Sequence, residues 1–235
     1  MKKWTQIEEN LLKDQYPLQG YKVCKLFPDR TKGSVIRKAD WLDLRINKKI
    51  RKEGKVDKIG YLDIESTQLT ANFGWMISWC IKEQDCKKIH TATVTRDEII
   101  NGVLDKRIVQ ELIDTMKQFT CLYGYYSNRF DFPFIRTRAL FWGIEFVPGG
   151  EIEIKDLYYL AKFKLRLHSN RLECVCDLMG IKGKTHLEPK MWIMANTGNE
   201  EAIKYINDHN KWDVIILEEV HKKLGEFEAK TRRYL

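Results

Sequence analysis

Asp63 and Glu65 stand two residues apart in Ile59-Gly60-Tyr61-Leu62-Asp63-Ile64-Glu65, a segment that alternates as a β-strand does. Period-2 geometry puts Tyr61, Asp63 and Glu65 on one face, with Leu62 and Ile64 on the other. Two carboxylates so close repel each other unless a cation lies between them, which is the arrangement of a metal site. The spacing alone carries little weight, because acid-x-acid triplets recur at 83/85, 151/153 and 226/228. Only the first opens a strand that leads into further strand candidates, at 73–81 and 88–95. Glu151 and Glu153, in the alternating Glu151-Ile152-Glu153-Ile154, are accounted for by a solvent-facing edge strand.

Two later places add acids. Leu122-Tyr123-Gly124-Tyr125-Tyr126 reads as a strand and is followed by Asn128-Arg129-Phe130-Asp131-Phe132-Pro133-Phe134-Ile135. Pro133 suits the first turn of a helix, which sets Asp131 at the helix mouth, where plain capping would also explain it. His209 and Asp213 stand four apart on an amphipathic helix whose apolar side includes Val214, Leu217 and Val220. That spacing projects both from one face, and taken alone such a pair is a surface hydrogen bond.

The elements that must position these groups belong to a globular chain. It has 235 residues, 43% hydrophobic and 31% charged, which excludes a disordered or membrane-embedded protein. The start, Met1-Lys2-Lys3-Trp4-Thr5-Gln6, runs into acidic residues and predicts no secretory leader. Cysteines 24, 80, 86, 121, 174 and 176 form no CxxC pair, so free thiols in a reducing compartment are expected. The expected protein is soluble and cytoplasmic, from a prokaryotic cell or a phage-infected host.

Charge divides the chain. Residues 1–58 hold 16 Lys/Arg and 8 Asp/Glu, and the remainder holds 25 of each, so the whole +8 lies in the first quarter. A basic module joined by a basic linker to a neutral one predicts that the first part holds a polyanion. The expected division is 1–47, a linker at 48–58, and 59–235. Thr5 and Glu8 form a capping box opening a first helix with Ile7, Leu11 and Leu12 on one face. Pro17 and Gly20 end it and start a second helix with Val23, Leu26 and Phe27 inward; Thr31 caps a third carrying Ile36, Ala39 and Leu42. The other side of the third helix shows Lys32, Ser34, Arg37 and Lys38, and the linker adds Lys48, Lys49, Arg51 and Lys52. Trp4-Thr5-x-x-Glu8 and Arg30-Thr31-x-x-x-x-Ile36-Arg37-x-Ala39-x-x-Leu42-x-Leu44 resemble Myb/SANT-like helix-turn-helix domains. The resemblance implies a third helix in the DNA major groove. With no Asn or Gln on its exposed face, backbone contact is expected more than base reading.

Tyr-Leu-Asp-Ile-Glu at 61–65, Phe-Asp-Phe-Pro-Phe-Ile at 130–135 and Trp-Asp-Val-Ile-Ile-Leu at 212–217 occur in an order that resembles the DEDD superfamily of 3′–5′ exonucleases. The nearest likeness is to the phage and prokaryotic type related to the proofreading domain of family B DNA polymerases; Asp156-Leu157-Tyr158 and Arg171-Leu172…Gly180-Ile181…Lys184 share it. The resemblance implies an α/β, ribonuclease H-like fold: a mixed five-stranded sheet flanked by helices. It also implies two divalent ions, Mg²⁺ or Mn²⁺, suited to hard oxygen ligands. Asp63 would bridge them, Glu65 and Asp213 would complete one site, and Asp131 would hold the other.

The chain departs from the family at the general base, which is a Tyr four residues before the last Asp or a His five before it. Here the four-before position holds His209 and the five-before position Asp208, so His209 takes the role, with Tyr205 one turn earlier as fallback. Where many members have Asn five before the second-motif Asp, this chain has Tyr126. Asp156 reads as a structural acid, and His168 and His186 as loop residues. The expected function is hydrolysis of nucleic acid, DNA in the first place, from its 3′ end. Its rivals are a non-catalytic DNA-binding protein with a scaffold domain and a structure-specific endonuclease on the same fold.

Overall fold

The computed structural model describes residues 4–42, 44, 58–182 and 187–228, with no side-chain description at Gly20 and Tyr21. The chain divides into two compact units, Met1–Val56 and Asp57–Leu235. Lys48, Lys49, Arg51 and Lys52 lie outside the described residues, as do Lys184 and His186.

In the first unit, α1 (Gln6–Gln19) leads through a 3₁₀ helix (Gly20–Leu26) to α2 (Lys32–Trp41). The Thr5–Glu8 capping box forms, with Glu8 N donating to Thr5 Oγ1 at 3.2 Å and Thr5 N to Glu8 Oε2 at 2.8 Å. Glu8 also receives Arg30 Nε at 2.7 Å, and this hydrogen bond holds its carboxyl down at about 2. The Arg30 guanidinium lies 4.0 Å over the Trp4 ring. Leu12, Tyr16, Val23, Phe27, Val35 and Ala39 make the core. Three expectations change here. Ile7 is exposed and Leu11 is at the surface, because only Leu12 and Tyr16 on that helix reach the core. Pro17 lies inside α1, in its last turn, where few backbone bonds remain to be lost. Val35, not Ile36, is fully buried, and Leu26 is exposed. Both α2 stripes suit a helical period, so packing against Phe27 and Val23 decides between them.

The second unit is a five-stranded sheet of β1 (Ile59–Ser66), β2 (Met76–Glu83), β3 (Ile89–Thr93), β4 (Cys121–Gly124) and β5 (Glu153–Asp156), in the order β3-β2-β1-β4-β5. β2 runs antiparallel to β1 and β3; β4 is parallel to β1 and to β5. The expected mixed sheet of α/β class is present, and β5 takes the edge, with Glu153 exposed and Glu151 before the strand. The helices are α3 (Arg96–Ile100), α4 (Lys106–Met116), α5 (Asp131–Trp142), α6 (Leu157–Lys164), α7 (Leu172–Met179), α8 (Pro189–Asn196) and α9 (Glu200–Leu224).

Strand alternation sorts the two layers. Leu62 and Ile64 enter an apolar cluster with α4 and α5, through Ile108, Leu112, Phe132 and Ile135. Tyr61 enters a second cluster with Leu157, Val175, Val214, Leu217 and Val220, from α6, α7 and α9. Burying side chains of this size stabilises by about 1.5–3 kcal/mol each, so both faces of β1 are held firmly. The acids at 63 and 65 share Tyr61's side of the strand. All six cysteines are free thiols. Among the described residues, no helix is long and apolar enough to cross a membrane.

Candidate metal centre

The β1 acids lie under α9, as the cross-strand register makes plain. Asp63 pairs with Cys80, and Cys80 with Thr91, so the three stand in one row. Asn207 of α9 joins that row, its Oδ1 accepting from Thr91 Oγ1 at 2.7 Å and from Cys80 Sγ at 3.7 Å. Burial, with Asp63 and Glu65 nearby, pushes the Cys80 thiol up to about 12, which keeps it neutral. Three residues on, Asn210 is fully buried and its Nδ2 reaches the Asp63 carbonyl at 3.5 Å. α9 crosses β1 antiparallel: Tyr61 OH meets His221 Nδ1 at 2.7 Å near one end, and Glu65 meets His209 near the other.

At that second end the i, i+4 pair folds over the strand. His209 Nε2 lies 3.2 Å from Asp213 Oδ2 and 3.9 Å from Glu65 Oε1. Ligand atoms of Glu65, His209 and Asp213 all fall within 4.8 Å of one another, close enough to hold one metal ion. Asp213 Oδ1 is buried and has no hydrogen-bond partner among the described residues. An orphaned carboxylate oxygen in such a place is costly unless a cation or water satisfies it, so the donor set fits a divalent ion.

Asp131 reaches the same stretch of β1 along the edge that β4 leaves open. β4 pairs with β1 only from Ile59 to Tyr61. Beyond that point Asp131, the first residue of α5, takes over as acceptor, with Ile64 N donating to its Oδ1 at 3.1 Å. Its carboxylate therefore sits beside the residue that separates Asp63 from Glu65. It is only 3% exposed, and burial lifts its carboxyl to about 7, against the opposing pull of the Ile64 N–H. Plain capping, which would also have explained this acid, is not what its side chain does: its Oδ1 accepts from β1.

A tight turn delivers Asp131. A Cβ on Gly124 would come within 2.4 Å of Ser127 Oγ, so only glycine fits at that point. Tyr126 then adopts φ +62°, the left-handed region that Asn enters with less strain than a large side chain. This is the position where the motif departs from Asn. Asp156 clamps the turn: its Oδ1 accepts from Tyr126 N at 2.8 Å and Tyr158 N at 3.0 Å, its Oδ2 from Asn128 N at 3.0 Å. Its expected structural role matches those bonds, although burial raises its carboxyl.

The cluster brings together Glu65, Asp213 and His209; Asp63 and Asp131 adjoin it along β1 without falling in the 4.8 Å group. His209, expected as the general base, is also among the residues whose atoms could hold the ion. Tyr205 is half-buried, packed on the apolar core. His168 lies in the loop before α7 as expected, its ring nitrogens 3.8 Å from Cys174 Sγ. Asn210 is a residue that sequence reasoning misses, although a polar side chain between His209 and Asp213 on a buried helix face is a signal. In the first unit Lys32 and Arg37 are exposed and Ser34 is half-exposed. Lys38 departs from its expected open position: its Nζ is 2.7 Å from Glu9 Oε1 and 3.8 Å over the Trp41 ring. That acid belongs to α1, and helical periodicity within α2 cannot reveal it.

Residues 60–225 match the RNase_H superfamily. The chain belongs to that superfamily. In sequence, the chain is 30% identical over 98 residues to a DNA polymerase of Methanocaldococcus jannaschii, covering 33% of this chain and 6% of that protein. Among solved structures it is similar to the family B DNA polymerase of the hyperthermophilic archaeon Pyrobaculum calidifontis, at 18% identity and a TM-score of 0.59. That superposition covers 72% of this chain and 25% of the polymerase chain, so this RNase_H-superfamily chain spans a minor part of both proteins. At such identity the likeness speaks to the fold, whose strand order and helical layers are those described above.

Proposed function

We propose that the chain is a metal-dependent 3′–5′ exonuclease that hydrolyses phosphodiester bonds of DNA and releases 5′-nucleotides. The observation that carries this reading is the gathering of Glu65, His209 and Asp213 within 4.8 Å, beside β1 where Asp131 is buried. The likeness to two DNA polymerases supports nucleic acid as the substrate.

Asp63, Glu65, Asp131 and Asp213 would hold two divalent ions, Mg²⁺ or Mn²⁺. Such ions, when bound, supply a water of lowered pKa and a positive charge for the departing 3′ oxygen. The chain's own residues do the rest. Asn210 fixes the Asp63 backbone through its carbonyl, and the Ile64 N–H orients Asp131. His209 Nε2, 3.2 Å from Asp213 Oδ2, is the nitrogen placed to accept a proton beside these acids. The distances to Glu65 and Asp213 favour a second reading, His209 as a nitrogen ligand, which would shift preference from Mg²⁺ toward Mn²⁺. The first unit would hold duplex DNA through Lys32, Ser34 and Arg37 on α2, as a helix-turn-helix does.

The test uses end-labelled single- and double-stranded DNA and RNA with Mg²⁺ or Mn²⁺. A ladder shortening from the 3′ end, lost in Asp63→Ala with duplex binding retained, is the expected result. Internal cuts alone would favour an endonuclease on this fold. No cleavage, or cleavage unchanged in Asp63→Ala, would reject the site.

A further inference from the structure

The turn that delivers Asp131 also begins a line of aromatic rings. Tyr126 and Tyr158 meet edge to face at 4.8 Å, Tyr158 and Tyr159 at 5.2 Å, and Tyr159 and Phe163 lie nearly parallel, 19° apart with centroids at 6.1 Å. The line follows from how α6 sits on the sheet. Leu157 and Ala161 are buried in the cluster shared with α7 and α9, which leaves Tyr158 and Tyr159 half-buried and Lys162 and Phe163 exposed. Phe163 is 74% exposed and Tyr126 46% exposed, so rings at both ends of the line face water.

The surroundings are positive. Residues 157–172 contain Lys162, Lys164, Arg166 and Arg171 and no acid, while the rest of 59–235 holds more acids than bases. Arg129 Nε donates to Tyr159 OH at 3.1 Å, and Lys162 Nζ lies 5.8 Å from the Tyr158 ring. The backbone at Tyr126 holds its ring outward at the cost of a left-handed conformation. Asp156 adjoins the line, but its oxygens are taken by the backbone N–H groups of Tyr126, Asn128 and Tyr158. Exposed rings set among cations match the chemistry that binds unpaired nucleic acid: stacking for bases, charge for phosphates.

We infer that Tyr126, Tyr158, Tyr159 and Phe163, with Arg129 and Lys162, form a track for the unpaired strand leading away from the metal centre. The inference rests on the nuclease reading for its direction and extends it to contact with several nucleotides beyond the reacting end. Rings that stack on any base give binding without sequence preference, and binding that strengthens with oligonucleotide length.

The experiment measures binding of oligo-dT four, eight and twelve nucleotides long, and of a blunt duplex, to the full chain carrying Asp63→Asn in EDTA. Tyr159→Ala with Phe163→Ala is expected to weaken the twelve-mer by roughly 5- to 150-fold for each stacked base lost. The four-mer and the duplex are expected to bind as before, and Phe163→Trp to retain the twelve-mer affinity. Circular dichroism melting checks folding, and Phe163→Ala alone, at an exposed position, gives a variant that keeps its core. Unchanged twelve-mer affinity, or an equal loss for duplex and single strand, would overturn the track. So would sedimentation showing that these rings hold two copies of the chain together. Ring-dependent binding with no cleavage by the unsubstituted chain would instead remove the nuclease reading and leave the track standing.

Discussion

Replacing Asp131 by Asn separates what the buried carboxylate costs from what it does. A carboxyl raised from 3.8 to about 7 by burial binds its proton more tightly in the folded than in the unfolded chain. Its contribution to stability is therefore complete below pH 4 and is lost as pH rises through about 7. At about 1.4 kcal/mol per pH unit, that loss is on the order of 4 kcal/mol in the metal-free protein at pH 8. Asn keeps an oxygen for the Ile64 N–H and cannot ionise, but buries an amide N–H₂ costing about 1–3 kcal/mol if poorly paired. The balance predicts that Asp131→Asn stabilises the EDTA-treated chain at pH 8 by about 1–3 kcal/mol and destabilises it at pH 4. Mn²⁺ should reverse the order at pH 8, because it stabilises the chain with all four acids more than one that has lost a ligand. Urea unfolding followed by circular dichroism, with and without Mn²⁺ at the two pH values, reads all four numbers. A variant less stable than the parent at pH 8 in EDTA, or equally stabilised by Mn²⁺, would refute the reasoning.

Further expectations can be checked alongside. His209→Gln should cut turnover at least tenfold; an equal loss of Mn²⁺ affinity in calorimetry would make His209 a ligand and exclude the proton-acceptor role. Tyr126→Asn should raise stability by about 0.5–1 kcal/mol by relieving the left-handed backbone, while weakening single-strand binding; lower stability in urea would show that packing against Tyr158 outweighs the strain. Substituting Lys32 and Arg37 by Gln should weaken duplex binding and flatten its salt dependence by about 0.9 for each phosphate no longer neutralised, and an unchanged slope would deny α2 its role. Glu8, held low by Arg30, supports the first unit above pH 4.5 and loses that support as pH falls toward about 2, so Glu8→Gln should flatten the acid limb of that unit's unfolding.

Much of the second unit is legible in the residues. Alternation locates β1 and puts Asp63 and Glu65 on one face, and the i, i+4 rule puts His209 and Asp213 together on α9. The helix-start preference of Pro133 sets Asp131 at the head of α5. Local rules cannot say which face of β1 meets α9, because that follows from the register of Asp63, Cys80 and Thr91 across three strands. Nor can they reveal that Asp131 replaces β4 as the partner of Ile64, since that depends on where the parallel pairing stops. In the first unit the buried face of α1 escapes them for a similar reason: Ile7, Leu11 and Leu12 fit one helical stripe, but only Leu12 meets the other helices. Lys38 likewise looks open within α2 until Glu9, far away in sequence, comes beside it.

The central claim is that the acids around β1 bind divalent ions, and counting Mn²⁺ by electron paramagnetic resonance tests it most directly. Two equivalents bound per chain at submillimolar concentration, with binding lost in Asp63→Ala and in Asp213→Asn while both variants remain folded, is the result expected. No bound Mn²⁺ at millimolar concentration, or a count that neither substitution changes, would contradict it.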